Sequence, residues 1–447
     1  MQRPLNNISN KLKKDLPGEI YSILTLIGKT ADQMGYKAYI VGGFVRDLFL
    51  GRKNFDVDIS VEPDGIKFAG ELAKKLKGTI VVHKHFGTAS IYIKRKHKGK
   101  RAAKFFPDVM KIDVATARRE SYEKPAVLPK VSFSSIREDL SRRDFTINAI
   151  AASLNRGDFG EVIDFFGGIK DLAAGIVRVL HGKSFIDDPT RIFRAVRFEQ
   201  RFSFEIEPHT IELIKNAMSV KMFEKVEKQR IREEVILILK EKDPVKALMR
   251  MNELHEFRFI HRKMKLTKGI LKTLGSVKKS ACYFNYLSGE GRAPDIWLVY
   301  FMALVEELPL KDAQRLSDSF VFRNEDKARI LSCKEKSDKV LDLLIKPKNA
   351  RGPSAVYRIL KPLSLEIILF IYAKSERERT RSLIKSFLIK HNKVRLDIGG
   401  DYLKRIGMKP GPKFKTILEE TLYAKIDGML KTARDEKKFV LQKFCKK

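Results

Sequence analysis

The sequence predicts an α+β fold, with strands and helices interleaved in the N-terminal part and helices alone in the C-terminal part. Apolar and polar residues alternate in several short segments before residue 120, a pattern typical of half-buried strands. From about residue 205 onward, apolar residues recur at helical spacing. The 447 residues are too many for one compact core, so we expect roughly two to four domains.

The individual elements follow from the same two periodicities. In chain order we predict helix 19–34, a strand-and-turn segment at 38–60, helix 65–77, strands 79–83, 89–93 and 110–115, and helices 226–242, 354–373 and one from about 414. Residues 118–135 contain two prolines and several serines, a composition that suits a mobile loop. A further helix is predicted to begin near Pro189, with Phe193 and Phe198 packed inside and Arg194, Arg197 and Arg201 facing outward.

The segment at 38–60 carries the first candidate chemistry. Gly42 and Gly43 follow an apolar run and precede a possible helix start, an arrangement that lets backbone N–H groups approach a phosphate. Asp56 and Asp58 lie two residues apart in an alternating segment and should therefore share one strand face. A glycine pair alone is often only a turn, and such acids alone are often a solvated face. Together they indicate metal-assisted phosphoryl or nucleotidyl transfer.

Asp113 is a lone acid within an otherwise apolar predicted strand. It is either a strand-end carboxylate that faces water or a third carboxylate beside Asp56 and Asp58, because an unpaired buried carboxylate is costly. Three carboxylates can hold two Mg²⁺ ions, one at an attacking hydroxyl and one at a triphosphate. The pair His83 and His85 has no neighbouring acid or cysteine to complete a metal site, so we interpret it as a polar strand end.

Two arginine-containing motifs could bind a nucleotide. The segment Arg142 to Ala149 offers arginine, aspartate and asparagine groups to a triphosphate and a sugar, although in isolation it would more often be a surface ion pair. Asp188 and Arg191 are three residues apart and can lie side by side on a helix. Asp188 could simply cap that helix. Alternatively, the pair could accept cytosine and adenine and reject guanine and uracil, since a mismatch leaves polar groups unpaired at roughly 1–3 kcal/mol each.

The charge balance indicates a polyanionic partner. The chain has 90 Lys and Arg against 55 Asp and Glu, a net charge of +35, which favours nucleic acid. Residues 94–104 hold seven Lys or Arg and no acid, so Lys94, Arg95 and Lys96 are candidate RNA contacts, with a solvated loop as the alternative. Lys409 and Lys413, in a turn before a predicted helix, are further candidates.

Membrane and secretory classes are disfavoured by the sequence. The apolar run 367–372 is far shorter than a membrane span, and the N-terminal residues lack the apolar stretch of a signal peptide. The three cysteines, Cys282, Cys333 and Cys445, have no zinc or disulfide spacing, which agrees with a reducing compartment. We therefore expect a cytoplasmic protein.

Five motifs, in order between residues 36 and 240, carry a family resemblance. They are Gly42-Gly43-Phe44-Val45-Arg46-Asp47, Asp56-Val57-Asp58, Arg142-Arg143-Asp144-Phe145-Thr146-Ile147-Asn148-Ala149, Gly167-Gly168-Ile169-Lys170-Asp171-Leu172, and Asp187-Asp188-Pro189-Thr190-Arg191 running into Arg194-Ala195-Val196-Arg197-Phe198. The sequence resembles the class II (bacterial and eukaryotic type) tRNA nucleotidyltransferases and poly(A) polymerases of the polymerase β superfamily. The helical remainder matches only loosely.

The resemblance implies four regions. They are a nucleotidyltransferase head with a mixed sheet at 1–173, a neck at 174–232 that recognises the base, a helical body at 233–340, and a helical tail at 341–447 that binds tRNA. Arg201 would be a further RNA contact. The implied partner is the acceptor and T-arm of tRNA, without a membrane and without an obligatory protein partner.

The resemblance also implies roles for individual residues. Asp56 and Asp58 would hold two Mg²⁺ ions, with Asp113 as an additional catalytic carboxylate. Contacts to the triphosphate, sugar and base of CTP or ATP are implied for Gly42, Gly43, Arg46, Arg143, Asp144, Asn148, Asp188, Arg191 and Arg194. One departure is Asp187, where the family usually has glutamate.

The resemblance leaves the product open. Members of the family add CCA, only CC, only A, or poly(A) tails, and all share these motifs. We expect addition of C and/or A to the tRNA 3′ end with release of pyrophosphate and without a nucleic-acid template. A poly(A) polymerase is the alternative within the enzyme class, and a non-catalytic RNA-binding module is the alternative outside it.

Overall fold

The computed structural model describes residues 7–94, 109–121, 130–287, 293–346 and 348–445. It divides into two compact units, Met1–Arg230 and Ile231–Lys447. The first unit contains the sheet and the second is helical, which confirms the predicted α+β class. The finer division into head, neck, body and tail remains a prediction.

Seven strands of the first unit form one mixed sheet. The strands of the unit are β1 (Lys37–Val41), β2 (Val57–Glu62), β3 (Thr79–His83), β4 (Thr88–Lys94), β5 (Val109–Thr116), β6 (Arg118–Ser121), β7 (Lys130–Phe133), β8 (Ala151–Ser153), β9 (Val162–Ile163), β10 (Ile176–Val177) and β11 (Glu205–Ile206). The order in the main sheet is β3-β4-β5-β2-β1-β8-β9, with β2 and β5 parallel and β1 antiparallel to both β2 and β8. The strands predicted from alternation are all present.

The ends of the predicted mobile loop pair with each other. Strands β6 and β7 form a separate two-stranded antiparallel ribbon. The segment 122–129 between them lies outside the described residues.

The first unit also contains helices, several of which pack on the main sheet. They are α1 (Ser9–Asp15), α2 (Gly18–Met34), α3 (Gly43–Phe49), α4 (Gly65–Leu76), α5 (Ile136–Ser141), α6 (Gly168–Ala174), α7 (Ser184–Asp187), α8 (Arg191–Phe202) and α9 (Pro208–Ser219). Helices α2 and α4 confirm the two predicted N-terminal helices. Helix α8 begins later than expected, at Arg191, and Asp188 lies in the turn before it, where its carboxylate accepts from the Thr190 N–H.

The second unit is built around apolar helices. After α10 (Lys228–Leu239), which includes the division point, come α11 (Pro244–Glu253), α12 (Phe257–Ile260), α13 (Lys268–Leu287), α14 (Ile296–Leu304), α15 (Leu310–Ser319), α16 (Asn324–Ile345), α17 (Pro353–Leu360), α18 (Leu365–Lys374), α19 (Glu378–Ile389), α20 (Gly400–Arg405), α21 (Pro412–Ile426) and α22 (Ala433–Phe444). Helix α14 is buried on all sides and packs against α13, α16 and α18.

One predicted helix is wrong. Residues 354–373 form two helices, α17 and α18, because Pro362 follows the end of the first and has no N–H to continue it. Among the described residues, no helix combines the length and apolarity needed to cross a bilayer.

Candidate active site

A cavity of about 390 Å³ in the first unit brings together most of the predicted nucleotide-binding residues. Its lining consists of Gly43, Arg46, Asp58, Arg142, Arg143, Asp144, Asn148, Arg191, Arg194 and Phe198. These residues come from α3, β2, the segment after α5, and α8. Five arginines in one cavity form a donor array suited to a polyanionic group such as a triphosphate.

Gly42 allows the backbone to pass close to the side chains that line this cavity. Its φ of +67° lies in the left-handed region, and a Cβ at this position would stand 2.4 Å from Nη1 of Arg143. The Gly42 N–H donates to the carbonyl of Ile150 on the neighbouring segment at 3.0 Å. Helix α3 begins at the next residue, Gly43, which lines the cavity. Gly42 is therefore favoured by its backbone conformation and by its closeness to Arg143, whereas a Cβ at Gly43 would meet no atom closer than 3.5 Å.

Arg46 is a buried cation on α3 that the surrounding groups hold in place. Its guanidinium donates to Asn148 Oδ1 at 2.6 Å and to Asp47 Oδ1 at 2.9 Å. The same group lies over the rings of Phe198 at 5.3 Å and Phe202 at 4.7 Å. Burial lowers the pKa of Arg46, while the neighbouring Asp47 opposes that change. The contacts leave Arg46 fixed at the cavity wall.

Asp144 joins two of the predicted nucleotide-binding residues. It accepts hydrogen bonds from Arg194 Nε at 2.8 Å and from Asn148 Nδ2 at 2.8 Å. Burial by itself would raise the pKa of Asp144, but Arg194 and the Asn148 hydrogen bond outweigh it and hold the pKa at about 2. Asp144 therefore stays ionised and orients both neighbours.

The expected outward direction of two arginines on α8 is wrong. Arg194 lines the cavity and Arg197 is 5% exposed, because both guanidiniums pack over Phe198, at 5.5 Å and 4.9 Å. Arg201, the third, is exposed as expected. Helical spacing alone assigns arginines to a solvent face, whereas the aromatic ring and Asp144 provide partners inside.

Asp58 and Asp113 lie side by side in the sheet. Parallel pairing of β2 with β5 puts them in register, so the two carboxylates share one face. Asp113 accepts from Ser90 Oγ at 2.6 Å and pairs with Lys111 Nζ at 2.7 Å. Burial, with repulsion from Asp113 and from Asp56, raises the pKa of Asp58 to about 6.

The third predicted carboxylate occupies a different position. Asp56 immediately precedes β2 and is exposed, yet its charge still acts on Asp58. Within the described residues, no group of three or more His, Cys, Asp or Glu side chains is arranged to hold a metal ion. The structure thus brings Asp58 and Asp113 together, and the place of Asp56 in a shared site with them remains a prediction.

The predicted base-reading pair makes two separate sets of contacts. Arg191 is 5% exposed and donates to Ser184 Oγ at 2.7 Å and to the Arg142 carbonyl at 2.9 Å. Asp188 accepts from the Thr190 N–H at 3.1 Å and forms an ion pair with Arg230 at 2.8 Å. Arg191 lines the cavity. The assignment of the pair to base reading remains a prediction.

The predicted RNA contacts are surface residues wherever they are described. Lys94 ends strand β4 and is exposed, as are Lys409 and Lys413 before and at the start of α21. Arg95 and Lys96 lie outside the described residues. The role of all these residues in RNA binding remains a prediction.

Comparison with protein families identifies two segments of the chain. Residues 38–178 match the model of the poly A polymerase head domain, and residues 203–266 match the model described as a probable RNA and SrmB-binding site of polymerase A. The solved structure of a CCA-adding enzyme in its apo form II is 35% identical, with 98% of each chain covered and a TM-score of 0.78. The chain belongs to the tRNA nucleotidyltransferase and poly(A) polymerase family.

Curated members of this family include relatives of two kinds. The A-adding tRNA nucleotidyltransferase of Geobacter sulfurreducens is 39% identical over 96% of this chain and 48% of its own length. That of Aquifex aeolicus is 34% identical over 83% of this chain and 43% of its own length. The chain therefore spans about half the length of these two relatives. A solved Thermotoga maritima CCA-adding enzyme complexed with tRNA is 34% identical, covered over 98%, with a TM-score of 0.74.

Asp139 is a buried carboxylate of the candidate site that was not predicted from the sequence. It is 1% exposed and accepts from Arg142 at 2.7 Å and from Arg143 at 3.2 Å. Burial alone would raise its pKa, but Arg143 and Arg142 lower it overall. The signal was present, since Asp139 stands three and four residues before the two arginines on a helical segment. The two arginines of this motif thus pair with a buried carboxylate outside the motif, not on the surface, and both also line the cavity.

Proposed function

We propose that the chain transfers nucleotides from CTP or ATP to the 3′ end of tRNA, without a nucleic-acid template. The observation that supports this proposal is the cavity in which Asp58, beside Asp113, faces five arginines. Paired carboxylates opposite an arginine array suit a reaction at a triphosphate. A purely RNA-binding module has no need for carboxylates beside a polyanion.

The reaction is a displacement at phosphorus. The RNA 3′-hydroxyl oxygen loses its proton to solvent and forms a bond to the α-phosphorus, the bond from that phosphorus to the bridging oxygen breaks, and pyrophosphate leaves with that oxygen. Arg46 and Arg143 would bind the phosphate oxygens, and the backbone at Gly42 and Gly43 would approach them closely. Asp144 would hold Arg194 and Asn148 toward the sugar.

The carboxylates fit a divalent metal site. The pKa of Asp58, raised to about 6 by burial and by its acidic neighbours, indicates negative charge that a cation would offset. Asp58 and Asp56 would hold Mg²⁺, with Asp113 as the added catalytic carboxylate. When bound, Mg²⁺ supplies positive charge that activates the hydroxyl and stabilises the leaving pyrophosphate.

A cytoplasmic location remains a prediction.

Base selection would rest on Asp188 and Arg191. Ser184 and the Arg142 carbonyl engage one N–H each of Nη1 and Nη2 of Arg191, and because a guanidinium has five N–H donors, both contacts are compatible with binding a base edge. Arg191→Ala should therefore degrade the choice of C and A over G and U. Unchanged selectivity would leave this residue with a structural role only.

Addition of A alone is a second candidate. It is favoured by the names of three relatives, including the Halalkalibacterium halodurans A-adding tRNA nucleotidyltransferase, which is 28% identical with 96% of its length covered. The solved structures named CCA-adding enzymes, one of them complexed with ATP at 34% identity, favour complete CCA addition instead.

One experiment separates these outcomes. Purified protein is incubated with tRNA transcripts ending before the CCA, after one C, or after CC, and with CTP alone, ATP alone or both. Extension of only the transcript ending in CC, and only with ATP, identifies an A-adding enzyme. Extension of every transcript to CCA identifies a CCA-adding enzyme, and a long A tail identifies a poly(A) polymerase. RNA binding without extension of any transcript would overturn the proposal.

A further inference from the structure

The outer strands of the sheet have one covered face and one open face. Helix α4 packs on β3, β4 and β5 and covers the face that carries Ile91 and Ile112, both 0% exposed. On the opposite face, which alternates with these residues, Tyr92 is 36% and Val81 42% exposed, whereas Ser90 between them and the carboxylates is 6% exposed. Lys111 is also exposed there. Antiparallel strands commonly leave one face to solvent, and here that face carries an aromatic ring and an apolar side chain.

The open face continues directly from the candidate catalytic carboxylates. Across the sheet, Asp58 pairs with Asp113, Asp113 with Ser90, and Ser90 with Val81. The next row of the same face contains Lys111 paired with Tyr92. Residues that pair directly across strands share a face, so Tyr92 and Lys111 lie one row from Asp113.

A second cavity, of about 380 Å³, lies over this face. Asp113, Lys111, Ser90, His83, Thr88 and Ser60 line it. The hydroxyl of Ser60, a residue only 1% exposed, has no hydrogen-bond partner within the described part of the chain. An unpaired buried hydroxyl beside an open cavity has its hydrogen-bonding capacity available to a ligand.

The two cavities share a wall. Asp58, Arg142 and Arg143 line both of them. The reaction needs one compartment for the triphosphate and one for the RNA terminus, meeting at a carboxylate. The arginine-rich cavity suits the triphosphate, which leaves the cavity over the open face for the other reactant.

We infer that the open face of β3, β4 and β5 binds the single-stranded 3′-terminal nucleotides of the RNA that is extended. This inference rests on the proposed function and assigns the RNA side of the same site. A base stacks on Tyr92 beside the apolar Val81, and the RNA phosphates follow Lys111 and Lys94 along the strands. Stacking does not depend on which base is present, so it suits an RNA end whose terminal base changes as nucleotides are added.

The test varies the RNA concentration at saturating nucleoside triphosphate. Tyr92→Ala should raise the KM for tRNA by about tenfold, because a stacking partner is lost. The KM for the nucleoside triphosphate should stay within about twofold, since Tyr92 lies outside the arginine-rich cavity. Tyr92→Phe keeps the ring and should restore the wild-type KM for tRNA. A purely structural role would move both KM values and the melting temperature together.

Charge on the open face is tested with a matched pair of lysines. Lys94→Ala should raise the KM for tRNA by about threefold at low salt, and the increase should shrink at high salt. Lys67→Ala is the control, because Lys67 is exposed on α4, the helix that covers the opposite face. Equal effects of the two substitutions would contradict a specific path along the open face.

A cross-linking experiment gives a readout that needs no turnover. tRNA with a photoreactive base as its 3′-terminal nucleotide should cross-link to peptides from 88–94 or 109–116. Cross-links confined to α8 would overturn the inference. If wild type extends no tRNA, the proposed function fails, while the cross-links still decide the RNA site. If wild type extends tRNA and Tyr92→Ala keeps the wild-type KM for tRNA, this inference alone fails.

Discussion

Arg230 forms an ion pair with Asp188, with Nη2 of the guanidinium 2.8 Å from Oδ2 of the carboxylate. The other oxygen, Oδ1, accepts hydrogen bonds from the N–H and the hydroxyl of Thr190, at 3.1 Å and 2.6 Å. Both oxygens of Asp188 are therefore held before any base arrives. A carboxylate that recognises a base by hydrogen bonds needs such restraint, because a carboxylate that rotates freely would accept a hydrogen bond from any donor.

Removal of the Arg230 ion pair should weaken base selection. In Arg230→Ala, Oδ2 of Asp188 loses its partner and the carboxylate can turn, so we expect the preference for ATP over GTP to fall about tenfold. The measurement is kcat/KM for each nucleotide on tRNA ending in CC. Gln229→Ala changes the exposed neighbour and is the control. A preference equal to wild type in Arg230→Ala would separate Asp188 from base reading.

Gly42 should tolerate no side chain. A Cβ there would stand 2.4 Å from Arg143 Nη1 in a left-handed backbone conformation, so Gly42→Ala must displace the arginine. We expect kcat/KM for the nucleoside triphosphate to fall by about hundredfold. Gly51→Ala is the matched control, because Gly51 has a φ of +65° and no neighbour within 4 Å of an added Cβ. Equal losses in both variants would mean that backbone strain, and not displacement of Arg143, causes the effect.

Asp58 should lower the stability of the metal-free protein. Burial, Asp113 and Asp56 raise its pKa to about 6, above that of the unfolded chain, so ionisation at neutral pH is less favourable in the folded protein than in the unfolded one. We expect Asp58→Asn to melt at a higher temperature than wild type in the presence of a chelator at pH 7.5. Mg²⁺ should raise the melting temperature of wild type and leave that of Asp58→Asn unchanged.

The same substitution should separate catalysis from binding. Nucleotide incorporation by Asp58→Asn and by Asp56→Ala should fall by more than about hundredfold. tRNA binding should stay near wild type, because it rests on many distributed cations. Wild-type incorporation in Asp56→Ala would remove that residue from the metal site.

The pH dependence of stability should include Asp144. Its pKa of about 2 lies below that of the unfolded chain, so its contribution is complete above about pH 4 and is lost as the pH falls toward 2. Asp144→Asn should be less stable than wild type by about 2 kcal/mol between pH 5 and 7. The difference should narrow at pH 3, as measured by urea unfolding.

A surface acid provides the comparison for that measurement. Asp401 is exposed, with its carboxylate near Lys404 on the surface. Asp401→Asn should match wild type at each pH. A constant difference between wild type and Asp144→Asn from pH 7 to pH 3 would argue against an ionised, paired Asp144.

Local pattern predicted much of the candidate site. Alternation identified β2 and β5, and the glycine pair identified the entry to α3, because these features depend on neighbours in sequence. The broken helix at Pro362 shows the limit of apolar spacing, since the proline interrupts a segment whose periodicity is otherwise helical. The direction of Arg194 was wrong for a different reason, as its partner Asp144 is 50 residues away in the chain.

The sequence by itself determined the α+β class, the order of the motifs, and the acids and arginines available for chemistry, because these follow from residue type and short-range spacing. Only the tertiary structure decided which of them meet. The parallel pairing of β2 with β5 places Asp58 beside Asp113, and the packing of α8 turns Arg194 inward onto Asp144. Such contacts join segments far apart in the chain, and their register is set by the packing of the whole unit.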